Sequence, residues 1–543
     1  MYKGYFFELK EISELNSILN SDISKLKGEF VLAWIYKNKL NVITDKLSLC
    51  KFYYYYDHKK FILSTNFWKI LKIIKPSYKN LDPLGIKENI FLYTPLNGRT
   101  IIKNLKHSFL SQNLIYNSDK NDLKINNYFN YFNKNKIKGN NNFFFDRLNS
   151  CFKKQFREIN KLSGNNKVGV AISGGLDSRL IPHFLNEKKE VVFFQIGKYK
   201  QGFLNEDDVL IANKILSYYN LSNLKTFDIR DDSLFKKSLL DIYSNPISYS
   251  SILKAHFVDD FEVMITGAYG TIIGSTVLSS FGSLTYSEIA DTILNCSSKI
   301  NSPFSKSRIY TLLTLIFPKL KENKKNYTQI KGLLTKKERK SIVSDINFWI
   351  KKYSKEFKPF EIVWLFWMMM CSRAGSFESQ NLRKENFSIY YPYIFEEVMN
   401  WPYEKIYDRT LFEKYLSTRF PTLSKIKGQH IYFSSVFDFF KKIPNLINYY
   451  FRGSSLDYRD WHNDKNWKKF VLSVIKKENP FFDKLIKLDN KTIFKLNDIL
   501  LENIIKNKLM LDIIYHKDYT IFNCLDEHNR ENENDKINKN SIM

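Results

Sequence analysis

The segment Val168-Gly-Val-Ala-Ile-Ser173-Gly174-Gly175-Leu176-Asp177-Ser178-Arg179 restricts the fold more than any other part of the chain. An apolar run of strand length ends in Ser-Gly-Gly, and a helix is expected to begin near Asp177. VVFFQIG, KTFDI and EVMITG read as further strands, with helical sequence in NEDDVLIANKILSYYN and near Ser233 to Tyr243. Strands that are apolar throughout are covered on both faces, and their alternation with helices predicts a parallel sheet in an α/β fold. After the first strand, paired glycines permit close backbone approach. Free N–H groups at a helix start, with the Ser173 and Ser178 hydroxyls, suit phosphate oxygens. Asp177 can hold a Mg²⁺ ion that neutralises a pyrophosphate. Pro182 lies past the first free N–H positions, so the helix should be distorted there.

The rest of the chain divides around this segment. Residues 1–135 read as mainly antiparallel β. GEFVLAWIYKNKLNVITDKLSL folds back at Lys37-Asn38, and KFYYYYDHKKFILSTN at Asp57-His58. Aromatic and β-branched runs around short polar turns are hairpin signals. LDPLGIKENIFLY reads as a helix opened by Asp82 as cap and Pro83 at its first position. The Asn-rich stretch from Asn133 to Asn142 reads as a linker, followed by a helix from Phe144 to Leu162 that stops at Ser163-Gly164. Residues 136–430 form the α/β region, mostly helical beyond Leu278. Residues 431–525 read as a helical extension, and 526–543 as a polar, disordered tail.

Composition excludes several classes. The chain has 543 residues, 44% hydrophobic and 16% aromatic, enough for large cores. Its five cysteines contain no CxxC pair, which excludes zinc ribbons and thioredoxin-type motifs. The eight histidines have no metal-ligand spacing. The apolar stretch from Pro359 to Cys371 is too short to span a bilayer and contains Glu361. The first residues, MYKGYFFELKEISEL, lack a basic-then-apolar leader pattern. A cytoplasmic location without a membrane span is therefore expected. Lys+Arg 84 against Asp+Glu 56 gives a net charge of +28. The lysines are scattered rather than blocked, which argues against a nucleic-acid partner.

Three readings of the Ser-Gly-Gly segment compete. It is no Walker loop, since no GxxxxGK[ST] is present. Ala171-Ile-Ser173-Gly-Gly175 approximates a nucleophile elbow, but lacks its first Gly and leaves Leu176-Asp177-Ser178 unexplained. A plain Gly-rich connection is the third. The six residues from Ser173 to Ser178, between strand and helix, resemble the SGGxDS loop of the PP-loop ATP pyrophosphatase superfamily, and within it the asparagine synthetase-like family. The resemblance implies ATP and Mg²⁺ as cofactors. It makes Ser173, Gly174, Gly175, Leu176, Asp177 and Ser178 nucleotide contacts, with Asp177 as metal ligand and catalytic residue.

Other stretches extend the resemblance to about residues 25–430. Glu206-Asp207-Asp208 with Ala212 resembles the acidic segment that follows the family's loop. Thr266-Gly267-Ala-Tyr-Gly270-Thr271 resembles a Gly-rich segment with a Mg²⁺-binding Asp; Gly267 would contact nucleotide, but Thr271 stands at the Asp position. Tyr391-Pro392-Tyr393-Ile394 resembles a stretch preceded by a catalytic Glu, where this chain has Ser388, with Glu385 the nearest acid. Asp408 to Phe420-Pro421 resembles a charged helix. Lys427, or Lys425, could match a lysine that stabilises the acyl-adenylate reaction. Leu26-Lys-Gly28-Glu-Phe30, Thr44-Asp45-Lys46, Tyr53 to Tyr56, Leu63 to Asn66 and Arg99-Thr100-Ile101 resemble a class II glutamine amidotransferase domain. That domain needs a nucleophilic Cys after Met1, and here Tyr2 follows. A degenerate, truncated domain without glutaminase activity is expected.

The resemblance implies an AMP-forming ligase. A small-molecule carboxylate would be adenylated, and ammonia or another amine would then displace AMP. Ammonia would come from solution, a separate glutaminase or a homodimer partner. Aspartate is the family's default substrate; sugar acids and peptides are alternatives. A tRNA-modifying enzyme and an ATP-binding protein without turnover are the competing classes.

Overall fold

The computed structural model describes residues 2–9, 12–92, 95–131, 135–185, 190–196, 208–222, 224–227, 261–274, 285–287, 289–290, 334–355, 357–373, 385–407, 409–426, 472–486 and 498–516.

Hairpins build the N-terminal layer. Strands β1 (Tyr2–Phe7), β2 (Lys27–Tyr36) and β3 (Lys39–Thr44) pair antiparallel, with helix α1 (Ile12–Ser21) between the first two. The β2–β3 turn consists of Lys37 and Asn38, at φ 48° and 58°. Two central residues at positive φ match the twist of a two-residue hairpin. β4 (Tyr53–Tyr56) and β5 (Phe61–Ser64) form the second expected hairpin, in which the Asp57 carboxylate accepts from the Lys59 and Lys60 N–H groups. Helices α2 (Phe67–Ile74) and α3 (Pro83–Phe91) follow. Asp82 caps α3 by accepting from Leu84 and Gly85 at 3.0 Å, as its sequence predicts. β6 (Leu105–His107) completes a sheet of order β5-β4-β6, while β7 (Gln112–Asn117) and β8 (Asp122–Asn127) extend the first to β1-β2-β3-β7-β8.

Helix α4 (Asn141–Leu162) starts three residues before its expected position, because the Asn140 side chain caps it through the Phe143 N–H. It buries Phe144, Leu148, Phe152, Phe156 and Ile159, one stripe at helical spacing. The second sheet is then laid down by β9 (Val168–Ala171), α5 (Ile181–Phe184), β10 (Val191–Ile196), α6 (Asp208–Tyr218), β11 (Leu224–Phe227) and β12 (Val263–Thr266). Its order is β11-β10-β9-β12-β13 and every pair is parallel. The fold is thus mixed α/β, with an antiparallel N-terminal part, a parallel central sheet and helices beyond. β13 (Glu385–Ser388) was missed by sequence reasoning, since ENFS lacks an apolar run. It forms because β12 offers a parallel edge, to which it aligns Ser388 with Thr266. The expected helix near Ser233 to Tyr243 and the tail from Asp526 lie outside the described residues.

The remaining helices are α7 (Lys336–Tyr353), α8 (Pro359–Arg373), α9 (Tyr393–Val398), α10 (Tyr403–Ile406), α11 (Thr410–Arg419), α12 (Pro421–Lys425), α13 (Pro480–Leu485) and α14 (Asp498–His516). One apolar core joins Phe67 and Ile90 of the N-terminal part, Val168 and Ile265 of the parallel sheet, and Ile504 and Leu511 of α14. The C-terminal α14 packs on α3, where Asn89 donates to Asn507 at 3.0 Å. Among the described residues no helix is long and apolar enough to cross a membrane.

Candidate functional site at the switch point of the parallel sheet

Strand order places the site. From β9 the chain moves outward to β10 and β11, then returns to the other side of β9 for β12 and β13. The reversal lies between β9 and β12. In open parallel sheets a crevice forms outside the carboxyl ends of the strands at such a point. Two loops meet there: Ser173–Ser178 after β9, and Gly267–Gly274 after β12.

The first loop is held by its own hydroxyls. Ser178 Oγ accepts from the Ser173 N–H at 3.0 Å and lies 3.3 Å from Ser173 Oγ, which accepts from the Gly175 N–H at 3.2 Å. The second loop comes close enough to require glycine. A Cβ on Gly267 would lie 2.7 Å from the Asp177 carbonyl carbon, and one on Gly270 would overlap the Asp177 carboxyl group. Between them, Tyr269 takes a left-handed backbone at φ 67°. Such a conformation is uncommon for a residue with a Cβ and is found where surrounding packing dictates it.

The helix expected at Asp177 does not begin there. Residues 177–180 form turns, and α5 is a single turn with Pro182 in its first positions. A ring without an N–H, placed early, explains the shortening. The cradle therefore does not have a long helix dipole behind it.

Asp177 meets a cation of the chain itself. Arg409, ahead of α11, lies with Nη1 2.6 Å from Oδ1 and donates from Nη2 to Oδ2 at 3.0 Å. Its Nε donates to the Gly274 carbonyl at 3.0 Å, so one guanidinium ties both loops together. Asp177 was expected to hold Mg²⁺. In this structure both carboxylate oxygens lie against Arg409, and Oδ1, buried in that ion pair, makes no hydrogen bond among the described residues. The Thr271 hydroxyl is buried without a hydrogen-bond partner among the described residues.

The strap after β13 contacts both loops. Ser388, fully buried, donates to the Ala268 carbonyl at 2.7 Å and accepts from the Tyr390 N–H at 3.1 Å. Its hydroxyl is a strut between strap and loop. In the turn that follows β13, Tyr390 Oη donates to the Asp177 carbonyl at 2.9 Å, whereas Tyr391 Oη donates to the Asp45 carboxylate at 3.0 Å in the N-terminal part. Burial, with the Asp177 charge second, holds the Tyr390 phenol well above its ordinary range, so it remains a neutral donor. Asp45 also accepts from the Leu47, Leu49 and Cys50 N–H groups, and burial pushes its carboxyl up to about 6.

Of the residues singled out in sequence, Ser173, Gly174, Gly175, Leu176, Asp177, Ser178 and Gly267 converge at the switch point. Lys427, Glu206, Asp207 and Asp408 lie outside the described residues, and Lys425 is exposed at the end of α12. Cys50 is buried, and burial with the nearby Asp45 and Glu29 pushes its thiol far up, which makes it a poor nucleophile. Arg179, Tyr390 and Arg409 were missed as site residues. Arg409 and Arg179 lay in stretches the sequence singled out, though nothing local marked their roles; Tyr390 had no signal. No protein-family model and no curated protein sequence matches the chain.

Proposed function

We propose that this protein is an ATP-dependent, asparagine synthetase-like ligase that makes an amide in two steps. A substrate carboxylate attacks the α-phosphate of ATP and displaces pyrophosphate, giving an acyl-adenylate. An amine, with ammonia the simplest, then attacks the acyl carbon and releases AMP. ATP would enter as its Mg²⁺ complex, with the ion belonging to the substrate. The observation that carries the reading is the Ser173–Ser178 loop at the switch point, with two serine hydroxyls and two glycines beside Arg409. Preorganised donors aimed at developing phosphate charge are what such a step needs. Arg409 would leave Asp177 for the phosphates. Lys427 remains the proposed partner of the acyl-adenylate. The N-terminal part is proposed to be a scaffold without glutaminase activity, and the location cytoplasmic.

A second reading has a specific observation behind it. The Asp177–Arg409 pair, together with Ser388 committed as a strut, fits a nucleotide-binding protein without turnover. One assay separates the two. Purified protein is given ATP, Mg²⁺, aspartate and ammonium, and AMP and pyrophosphate are measured, with glutamine replacing ammonium in a parallel sample. The ligase reading expects pyrophosphate release that depends on a carboxylate and ammonium, is absent with glutamine, and is lost in Asp177→Ala. ATP binding without pyrophosphate across a panel of carboxylates, including sugar acids and peptides, would favour the second reading. Failure to bind ATP would end both.

A further inference from the structure

Arg179 is fully buried directly after the loop, and its guanidinium is spent on backbone carbonyls. Nε donates to the Gly175 carbonyl at 3.1 Å and Nη2 to the Gly174 carbonyl at 3.1 Å. Nη1 donates to the Leu423 carbonyl at 3.3 Å and the Ile426 carbonyl at 2.5 Å, at the end of α12. From the other direction, Tyr219 Oη holds the Arg179 carbonyl at 3.1 Å. One planar fork thus clamps two consecutive loop peptides to the residues just before Lys427.

The peptide plane gives this clamp a consequence. In a trans peptide, the carbonyl of one residue and the N–H of the next point in opposite directions. Drawing the Gly174 and Gly175 carbonyls onto Arg179 turns the Gly175 and Leu176 N–H groups to the opposite face. Ser173 Oγ is on that face, since it accepts from the Gly175 N–H. Among the described residues nothing accepts from the Leu176 N–H. Successive N–H groups presented on one side form an anion-binding concavity, and a buried positive charge behind them deepens the potential. Glycine at 174 and 175 leaves those peptides free to take the required orientation.

We infer that Arg179 is a positioning residue: it holds the Gly175 N–H on Ser173 Oγ, turns the Leu176 N–H beside that hydroxyl toward the pyrophosphate portion of the nucleotide, and docks the 421–426 segment onto the same loop. This inference rests on the ligase reading for the identity of the anion, but not for the clamp itself. Lysine is no substitute, because a point charge cannot bridge two pairs of carbonyls in one plane.

The test uses the full-length chain with Arg179→Met, Arg179→Lys and Tyr219→Phe. Binding of inorganic pyrophosphate and of adenosine is measured by calorimetry, and hydrogen exchange is followed along the backbone. Arg179→Met should weaken pyrophosphate binding by at least about tenfold, leave adenosine binding within about twofold, and speed exchange in 172–180 and 421–426 alone. Arg179→Lys should not rescue it. Tyr219→Phe removes the hydroxyl that holds the Arg179 carbonyl and should weaken pyrophosphate about threefold with faster exchange in the same two segments; it carries the test if the Arg179 variants do not fold. Pyrophosphate affinity unchanged in the variants, or unchanged exchange in the two segments, would overturn the positioning role. Loss of both ATP and pyrophosphate binding from the unmodified protein would instead remove the ligase reading, and the exchange data would still decide whether the clamp exists.

Discussion

Single side chains that belong to no sequence motif organise the site. Tyr390 and Tyr391 are adjacent, yet one reaches the Asp177 carbonyl and the other the Asp45 carboxylate. Removing the hydroxyl of Tyr391 leaves Asp45 without one donor in a buried setting. Tyr391→Phe should lower stability by about 1–3 kcal/mol, read as a drop in denaturation midpoint with an unchanged slope. Ser388 shows how a departure from a resembled pattern can be structural. Its hydroxyl bonds the Ala268 carbonyl and the Tyr390 N–H, so Ser388→Ala should loosen both loop and strap, again by about 1–3 kcal/mol. Ser388→Glu, which would restore the acid of the resembled family, should be more harmful, since a carboxylate would be buried against a carbonyl. The glycines and serines of the loop were legible in sequence because their chemistry is local. Arg179 was not, because its partners Leu423 and Ile426 are brought to it only by the fold.

At the scale of elements, turns and caps followed sequence closely. Asp82-Pro83 opened α3 and Lys37-Asn38 closed the β2–β3 hairpin. Both turn residues there have positive φ, a conformation that Asn and Gly adopt more readily than Lys. The double change Lys37→Asn and Asn38→Gly should therefore raise stability by up to about 1 kcal/mol, seen as a higher melting temperature. α4 carries its apolar stripe against α9 and the aromatic cluster of Phe184, Tyr390 and Tyr415. Phe152→Ala should cost about 3–5 kcal/mol, in line with an aromatic side chain removed from a closed core. Three elements departed from expectation. α4 began three residues early, inside the expected linker, α5 shrank to one turn around Pro182, and β13 formed from a polar segment. Strand formation there depends on the partner edge rather than on propensity, which is weak and context-dependent for strands.

Over the whole molecule, the N-terminal part, the parallel sheet and the C-terminal helix share one core, and charged groups lie inside their contacts. Arg99 Nη1 bridges Glu88 Oε1 at 3.0 Å and Asp345 Oδ2 at 2.8 Å, while Lys87 pairs with Glu338 at 3.1 Å. Burial pushes the Glu88 carboxyl up to about 8, against the pull of Arg99. A carboxyl whose folded pKa exceeds its unfolded value keeps its proton longer in the folded state. Its contribution to stability is therefore full below about pH 4.5 and is lost as pH rises through about 8. The stability of the protein minus that of Glu88→Gln should decline across that window. A flat difference between pH 4.5 and 8 would contradict the buried, proton-holding Glu88.

Local patterning was enough for the class of the fold, the two hairpins and the residues of the Ser173 loop, because each depends on neighbours a few positions apart. What surrounds that loop is set by contacts between distant segments. Sheet order set Gly267 and Gly270 against Asp177, and α11 delivered Arg409 to the same carboxylate. The strap after β13 supplied Tyr390, and the end of α12 gave Arg179 its far carbonyls. Contacts between segments this far apart in the chain have no local pattern; they follow from which apolar faces are buried together.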